Sequence, residues 1–338
     1  MKNSLAIILL ALFYSACSEK TVEIEPIYKT DFSSSIRGLY LLNDSMYWAS
    51  GSKGVVGFFN DRRLVKSSNN KHWEDLDFRD IHAFNEKEAI VMSSGDGCEI
   101  YKTKDGQESW DLVYENKDEG IFFDGMDFWD DQNGIAFSDP IDGQLFIITT
   151  NNAGDSWKKI EPLNMPKMLK GEAGFAASGT GITCVGDSTV YIGTGGGKTS
   201  RVFISHDRGM NWSAVNTNMM SGESSGIYSM VFIDRKNGIA VGGNYLDSLN
   251  TKGNCVITSD GGLTWYLPKT APSGYRSCVA YNGNGVLIST GRNGIDISYD
   301  KGNNWEHVSN DAYYSCVLIG NRGWLVGRNG KMAKIIIT

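Results

Sequence analysis

The sequence predicts an all-β protein, a seven-bladed β-propeller of four-stranded antiparallel blades, with a strand near the N-terminus closing the last blade. Three observations predict it. An eight-residue motif ending in Trp returns six times along the chain. Between its copies the chain reads as short apolar runs separated by Gly, Asn and Asp, with no long amphipathic helix. The composition, 40 Gly against 6 Pro with abundant aromatics, suits a many-turned β protein.

The fullest copy of the motif is TSDGGLTW, Thr258 to Trp265, with Asp260 two residues after the Thr and Gly262 four after it. SHDRGMNW (Asp207, Trp212) and SYDKGNNW (Asp300, Trp305) repeat it. TNNAGDSW places Asn152 where the Asp stands and ends at Trp157; TKDGQESW keeps Asp105 and Trp110 but has Gln107 in the Gly place. KSSNNKHW, Lys66 to Trp73, keeps little beyond the length and the Trp. An Asp or Asn accepts hydrogen bonds from amides further along and folds a tight turn. The Gly tolerates positive φ, and the Trp starts the outgoing strand and buries a large flat surface.

This pattern is that of the Asp-box, or BNR, repeat, and nearly the whole chain after its leader resembles the Asp-box β-propellers. That group includes sialidases, xyloglucanases and the photosystem II assembly/stability factors. In layout the chain looks most like the last of these, secreted or lipid-anchored seven-bladed rings. The resemblance implies architecture strongly and activity weakly.

From the N-terminus, MKNSLAIILLALFYSAC has one Lys, an apolar run too short to favour a transmembrane helix, and a small-residue stretch, which reads as a signal peptide over 1–16. Cys17 after Ser15 and Ala16 resembles the lipobox of bacterial lipoproteins, with Tyr14 in place of the usual Leu. The expectation is export and lipid anchoring to the cell envelope through Cys17, the alternative being plain secretion. Residues 17–26 then form a tether and 27–338 a single propeller. Of six Cys, five remain after Cys17, an odd number that argues against a paired framework. Cys278 and Cys316 occupy equivalent places in consecutive repeats and are expected to be buried as small apolar residues. The net charge of −7 argues against nucleic acid as a partner.

Inner strands are expected to begin near Ile36, Phe78, Phe122, Gly174, Ile227, Tyr275 and Tyr313. The seventh unit has three strands before the chain ends, and KTVEIEPIYKT supplies a spare one. Pairing the two closes the ring, whereas six blades with loose ends would leave the apolar IIIT edge open. In a meander blade the first-to-second and third-to-fourth turns share one face, so the motif hairpins are structural and the opposite face carries the mouth.

Aligning the inner strands on their small residue brings Arg37, Arg79, Asp124, Tyr228, Arg276 and Tyr314 into one ring. Incoming loops add Glu172 and Glu223, and second-to-third loops add Asp139, Asp142, Asn244, Tyr245, Arg292 and Arg328. Guanidinium forks match carboxylates and phosphates, so Arg37, Arg79, Arg276, Tyr314, Tyr245 and Arg292 are the ligand-binding candidates. The same ring holds the residue types of a sialidase site, which uses three arginines, a Tyr–Glu pair and an acidic donor. It departs from that family in reading SIRG where the family has Phe-Arg-Ile-Pro, and in blade number. Catalytic candidates for the alternative, a glycoside hydrolase of sialidase- or xyloglucanase-like type, are Asp124, Asp139, Glu172, Glu223 and Tyr228, with Asp127 as a further acid.

GTGGGKTS resembles a phosphate loop, but Ile192 stands where its first Gly belongs and a strand, RVFIS, follows instead of a helix. It reads as a mouth loop offering Lys198 and Arg201. The four His are scattered through different repeats or box hairpins, without metal-ligand spacing. No metal and no cofactor are expected. The reading is a monomeric binding or assembly module for a protein segment or a glycan, anionic ones included, touching the membrane only through its anchor.

Overall fold

The computed structural model describes residues 21–27, 33–68, 70–95 and 98–338. Cys17 and the leader lie outside the described residues. Seven antiparallel sheets follow one another round a ring. Their inner strands are Ile36–Leu41, Asp77–Ala83, Phe123–Phe128, Ile182–Val185, Ser225–Phe232, Cys278–Tyr281 and Ser315–Ile319. Six sheets have four strands. In blade 5 the fourth strand shrinks to one bridge, Ile257 with Tyr266.

Closure is the expected one. Val22–Pro26 pairs antiparallel with the last strand, Met332–Ile337, and becomes the outer strand of blade 7. The propeller therefore starts at Val22, inside the stretch assigned to a tether over 17–26. The pairing covers the edge that Ile335 and Ile337 would otherwise present.

The core is not one cluster but one per blade interface. Ile90, Met92 and Ile100 of blade 2, for instance, pack on Phe123, Ala136 and Phe146 of blade 3. Apolar residues on both faces of each sheet meet the neighbouring blade, which is why the strands read as nearly continuous apolar runs. Small polar side chains stitch inner strands together nearer the axis. Asp80 Oδ2 of blade 2 accepts from Met126 N of blade 3 at 2.8 Å. Asp127 Oδ2 accepts from Cys184 N of blade 4 at 2.7 Å, and Ser229 Oγ from Val279 N of blade 6 at 2.9 Å.

Five of the six motif copies form the hairpin between third and fourth strands. In blade 4, Ser205 Oγ donates to Asp207 Oδ1 (2.9 Å), Gly209 N donates to Ser205 Oγ (2.9 Å) and Asn211 N donates to Asp207 Oδ1 (2.8 Å). The hydroxyl and carboxylate (or Asn152) make corresponding bonds in the hairpins at Asp105, Asn152, Asp260 and Asp300. Each turn needs two successive left-handed residues, such as Ala153 and Gly154. At Gly154 a Cβ would also lie 2.1 Å from Ile90 of the preceding blade. The following Trp wedges into that same interface. The Lys66–Trp73 copy is different: it begins within the outer strand Arg63–Ser68 and ends in a 3-10 turn, Lys71–Trp73. Trp73 is still fully buried, between blades 1 and 2.

The fourth inner strand starts at Ile182, not near Gly174. Residues 174–181, GFAASGTG, instead run across the axis and plug the channel. Ser178 Oγ donates to Ser277 O of blade 6 (2.8 Å), and Gly179 packs so tightly on Asp80 of blade 2 that a Cβ would come within 2.2 Å of Oδ1. Only very small residues fit. Two back-to-back cavities result. One, of about 420 Å³, has Phe175, Ala176 and Ala177 on its wall; the other, of about 400 Å³, has Ser178, Gly179 and Thr180.

Burial on the axis sets a pH dependence. It pushes Asp80 up to about 8 and Asp127 up to about 6, and holds His82 down to about 3. A raised acid stabilises the fold fully below its unfolded value near 4 and loses that contribution as pH rises to the folded value. His82 works oppositely: its contribution is complete above its unfolded value near 6.5 and fades as pH falls. Between pH 6.5 and 8 only Asp80 of these three is still losing its contribution, so urea-unfolding stability should fall with rising pH. Asp80→Asn should flatten that slope while lowering stability throughout, since an amide nitrogen would face a backbone N–H. A slope unchanged in the variant would contradict this account.

Candidate functional site

The residues aligned on the small position have a shared backbone cause. In blades 1, 2, 3 and 5 the ladder between first and second strands skips one residue: Arg37, Arg79, Asp124 and Tyr228. Each is a β-bulge, which leaves a residue out of the ladder and re-aims its side chain. In blades 6 and 7 the equivalent residues, Arg276 and Tyr314, come just before the inner strand.

Arg37, Arg79, Tyr228 and Tyr314 line the 420 Å³ cavity, joined by Tyr245 and Arg292 from second-to-third loops and by Phe175 and Tyr275. The hairpins sit at the opposite ends of the strands: in blade 6, Gly291 pairs with Gly294 at the mouth end and Leu287 with Ser298, where the motif begins, at the other.

The electrostatics are lopsided. The Arg37 guanidinium lies 4.2 Å from the centre of the Tyr314 ring and donates to Ala177 O at 3.2 Å. Arg79 donates to Asp77 Oδ2 at 2.8 Å and to Ala176 O at 3.2 Å. Arg292 donates to Tyr245 O at 3.0 Å. Among the described residues the only carboxylate bonded to any of these three guanidiniums is thus Asp77, on Arg79. Burial, and then the charge of Arg79, lower the Arg37 pKa, the mark of two like charges held together. The plug carbonyls orient both arginines without neutralising them.

The aromatic wall is rigid and neutral. Tyr228 stacks on Phe175 at 4.1 Å and meets Tyr275 edge-on at 4.8 Å. Its hydroxyl donates to Ser224 O, not to a Glu, and burial pushes both phenols well up.

Several expected site residues are placed elsewhere. Arg276 is fully buried: its Nε donates to Asp296 Oδ2 at 2.6 Å and Nη1 to Asn293 Oδ1 at 2.9 Å. A carboxylate on the third strand of the same blade captured it, so it does not face the mouth with Arg37 and Arg79. Asp124 is buried against Asp139; burial first, and then the Asp139 charge, push its carboxyl well above the usual carboxylate range. Asp139 Oδ1 accepts from Gly174 N at 3.0 Å, and the two acids brace the start of the plug. Glu172 is ion-paired with Arg201 in the interior, which also withdraws Arg201 from the mouth loop. Glu223 is exposed and does not line the cavity. Among the described residues no carboxylate lines the cavity wall.

Solved structures share this architecture. YCF48 from Cyanidioschyzon merolae superposes with a TM-score of 0.62 at 14% identity, over 92% of this chain and 98% of that one. A structure of YCF48 bound to D1 peptide gives 0.61 at 13% identity, over 94% and 96%. Virginiamycin B lyase from Staphylococcus aureus gives 0.63 at 12% identity, over 95% and 100%. At such identities the likeness is one of fold. No family model and no curated protein matches the chain.

Sequence reasoning missed Phe175, Tyr275 and Asp296. Phe175 sits in a Gly/Ala/Ser run whose density of small residues is the mark of close backbone approach rather than of a strand. Asp296 had a plainer signal: an acid inside the apolar strand GIDIS must find a buried partner.

Proposed function

We propose that the mouth cavity binds the anionic group of an extended protein segment, and that the chain is a binding or assembly module held at the cell envelope by a lipid on Cys17. The observation that carries this is the pair Arg37 and Arg79, juxtaposed at a cavity where, among the described residues, the one carboxylate bonded to either is Asp77, on Arg79. Two guanidiniums held together destabilise the free protein, and an incoming carboxylate relieves that repulsion while gaining forked hydrogen bonds. That YCF48, a propeller of the same fold, is found with a D1 peptide supports a protein segment as the ligand class. We read the five hairpins as Asp-box repeats with a structural role. The hydrolase reading is disfavoured because general acid–base hydrolysis needs carboxyls flanking the substrate, and these acids are buried in pairs or lie off the cavity.

The test is selection from a library of short peptides with free α-carboxylates on the folded protein. Selected peptides should be rich in acidic groups, bind less tightly as salt rises, and be lost by an Arg37→Ala/Arg79→Ala double variant that melts normally. Retention of the same peptides by that variant would refute the proposal.

A further inference from the structure

Residues 245–254 join the second and third strands of blade 5 beside the cavity. This loop is pinned on several sides. Asn244 Oδ1 accepts from Leu246 N at 2.8 Å and from the Ser224 hydroxyl at 2.8 Å. Tyr275 N donates to Ser248 O at 2.8 Å, and Arg292 holds the Tyr245 carbonyl. At the far end the buried Asn254 donates to Pro272 O and Gly274 O. Yet Leu246 and Leu249 are 72% and 75% exposed.

One exposed leucine carries no information. Two on a pinned loop offer an apolar shelf one and four residues beyond Tyr245, which itself lines the cationic cavity. Its occupant must therefore offer an anion and aliphatic surface side by side. A sugar stacks its faces on aromatic rings and has no use for leucines. A peptide with a bulky aliphatic residue next to its acidic one fits both halves.

We propose that the segment bound at the mouth is amphipathic: its carboxylate enters between Arg37 and Arg79, and a neighbouring aliphatic side chain covers Leu246 and Leu249. This rests on the reading of the mouth as a peptide site and adds the sequence character of the partner. Partial burial of these two exposed leucines on binding is worth about tenfold in affinity.

The test uses two fluorescein-labelled hexapeptides, one of Gly, Ser and two Asp, the other with two of its Ser replaced by Leu. Anisotropy titrations on the wild type should show the Leu peptide binding about tenfold more tightly. In Leu246→Ser/Leu249→Ser that advantage should vanish, while the affinity of the Asp-only peptide stays unchanged. Equal binding of both peptides to the wild type, or an advantage that survives in the leucine variant, overturns the shelf and leaves the arginine site standing. Failure of both peptides to bind the wild type overturns the mouth reading and the shelf with it. If the leucine variant instead loses sedimentation with phosphatidylcholine vesicles and keeps the peptide advantage, the shelf is a membrane contact and the proposal is wrong.

Discussion

Replacing Arg276 by Met is expected to destabilise the protein by about 3–5 kcal/mol, because it strands the buried Asp296 carboxylate without its charge partner. Both side chains are fully buried, and among the described residues Asp296 keeps side-chain hydrogen bonds only with Ser273 and His307 once the guanidinium is gone. The double variant Arg276→Met/Asp296→Leu should recover much of the loss, since a buried ion pair can be exchanged for apolar groups at little cost. Urea unfolding of the three proteins measures this. Peptide binding by the folded single variant should match the wild type. A variant that melts normally but no longer binds would return Arg276 to the mouth, where its alignment with Arg37 and Arg79 first placed it.

Removing the hairpin tryptophans should have effects of the same size at the other end of the molecule. Trp212 is buried between blades 3 and 4, with its indole N–H donating to Gly209 O at 2.7 Å. Trp212→Ala should cost about 3–5 kcal/mol. Trp265 and Trp305 make the equivalent bond to their own hairpin glycines and should behave alike. Trp110 is only partly buried, and its N–H reaches Ser68 of the preceding blade, so Trp110→Ala should cost less. Thermal melts of the four variants would rank them. Binding at the mouth should survive in each one that folds, and its loss at unchanged melting temperature would mean the functional face is the hairpin face.

The ring was legible because its signals are local and repeated. A hydroxyl, a carboxylate and a Trp at fixed spacing dictate a hairpin whatever surrounds them, and the unpaired IIIT edge required a strand such as VEIEP. The bulge residues were legible for the same reason, since one backbone irregularity recurs from blade to blade. Where each bulged side chain points was not legible. Arg37 meets a plug carbonyl and a Tyr ring, whereas Arg276 meets Asp296, and that difference comes from neighbouring strands. The plug was hidden because its residues are small and nearly featureless, and their contacts with blades 1, 2 and 6 span up to 140 residues of sequence. Acids that looked catalytic by type turned out to support the plug and its surroundings: Asp124 and Asp139 hold its start, and Glu172, just before it, pairs with Arg201 at the head of the third strand of blade 4.

The most direct measurement is a crystal structure of the protein with a selected peptide. The account predicts a peptide carboxylate within hydrogen-bonding distance of both Arg37 and Arg79, above the plug and beside Tyr314. A peptide seated on the hairpin face, or at the mouth with both guanidiniums untouched, would contradict it.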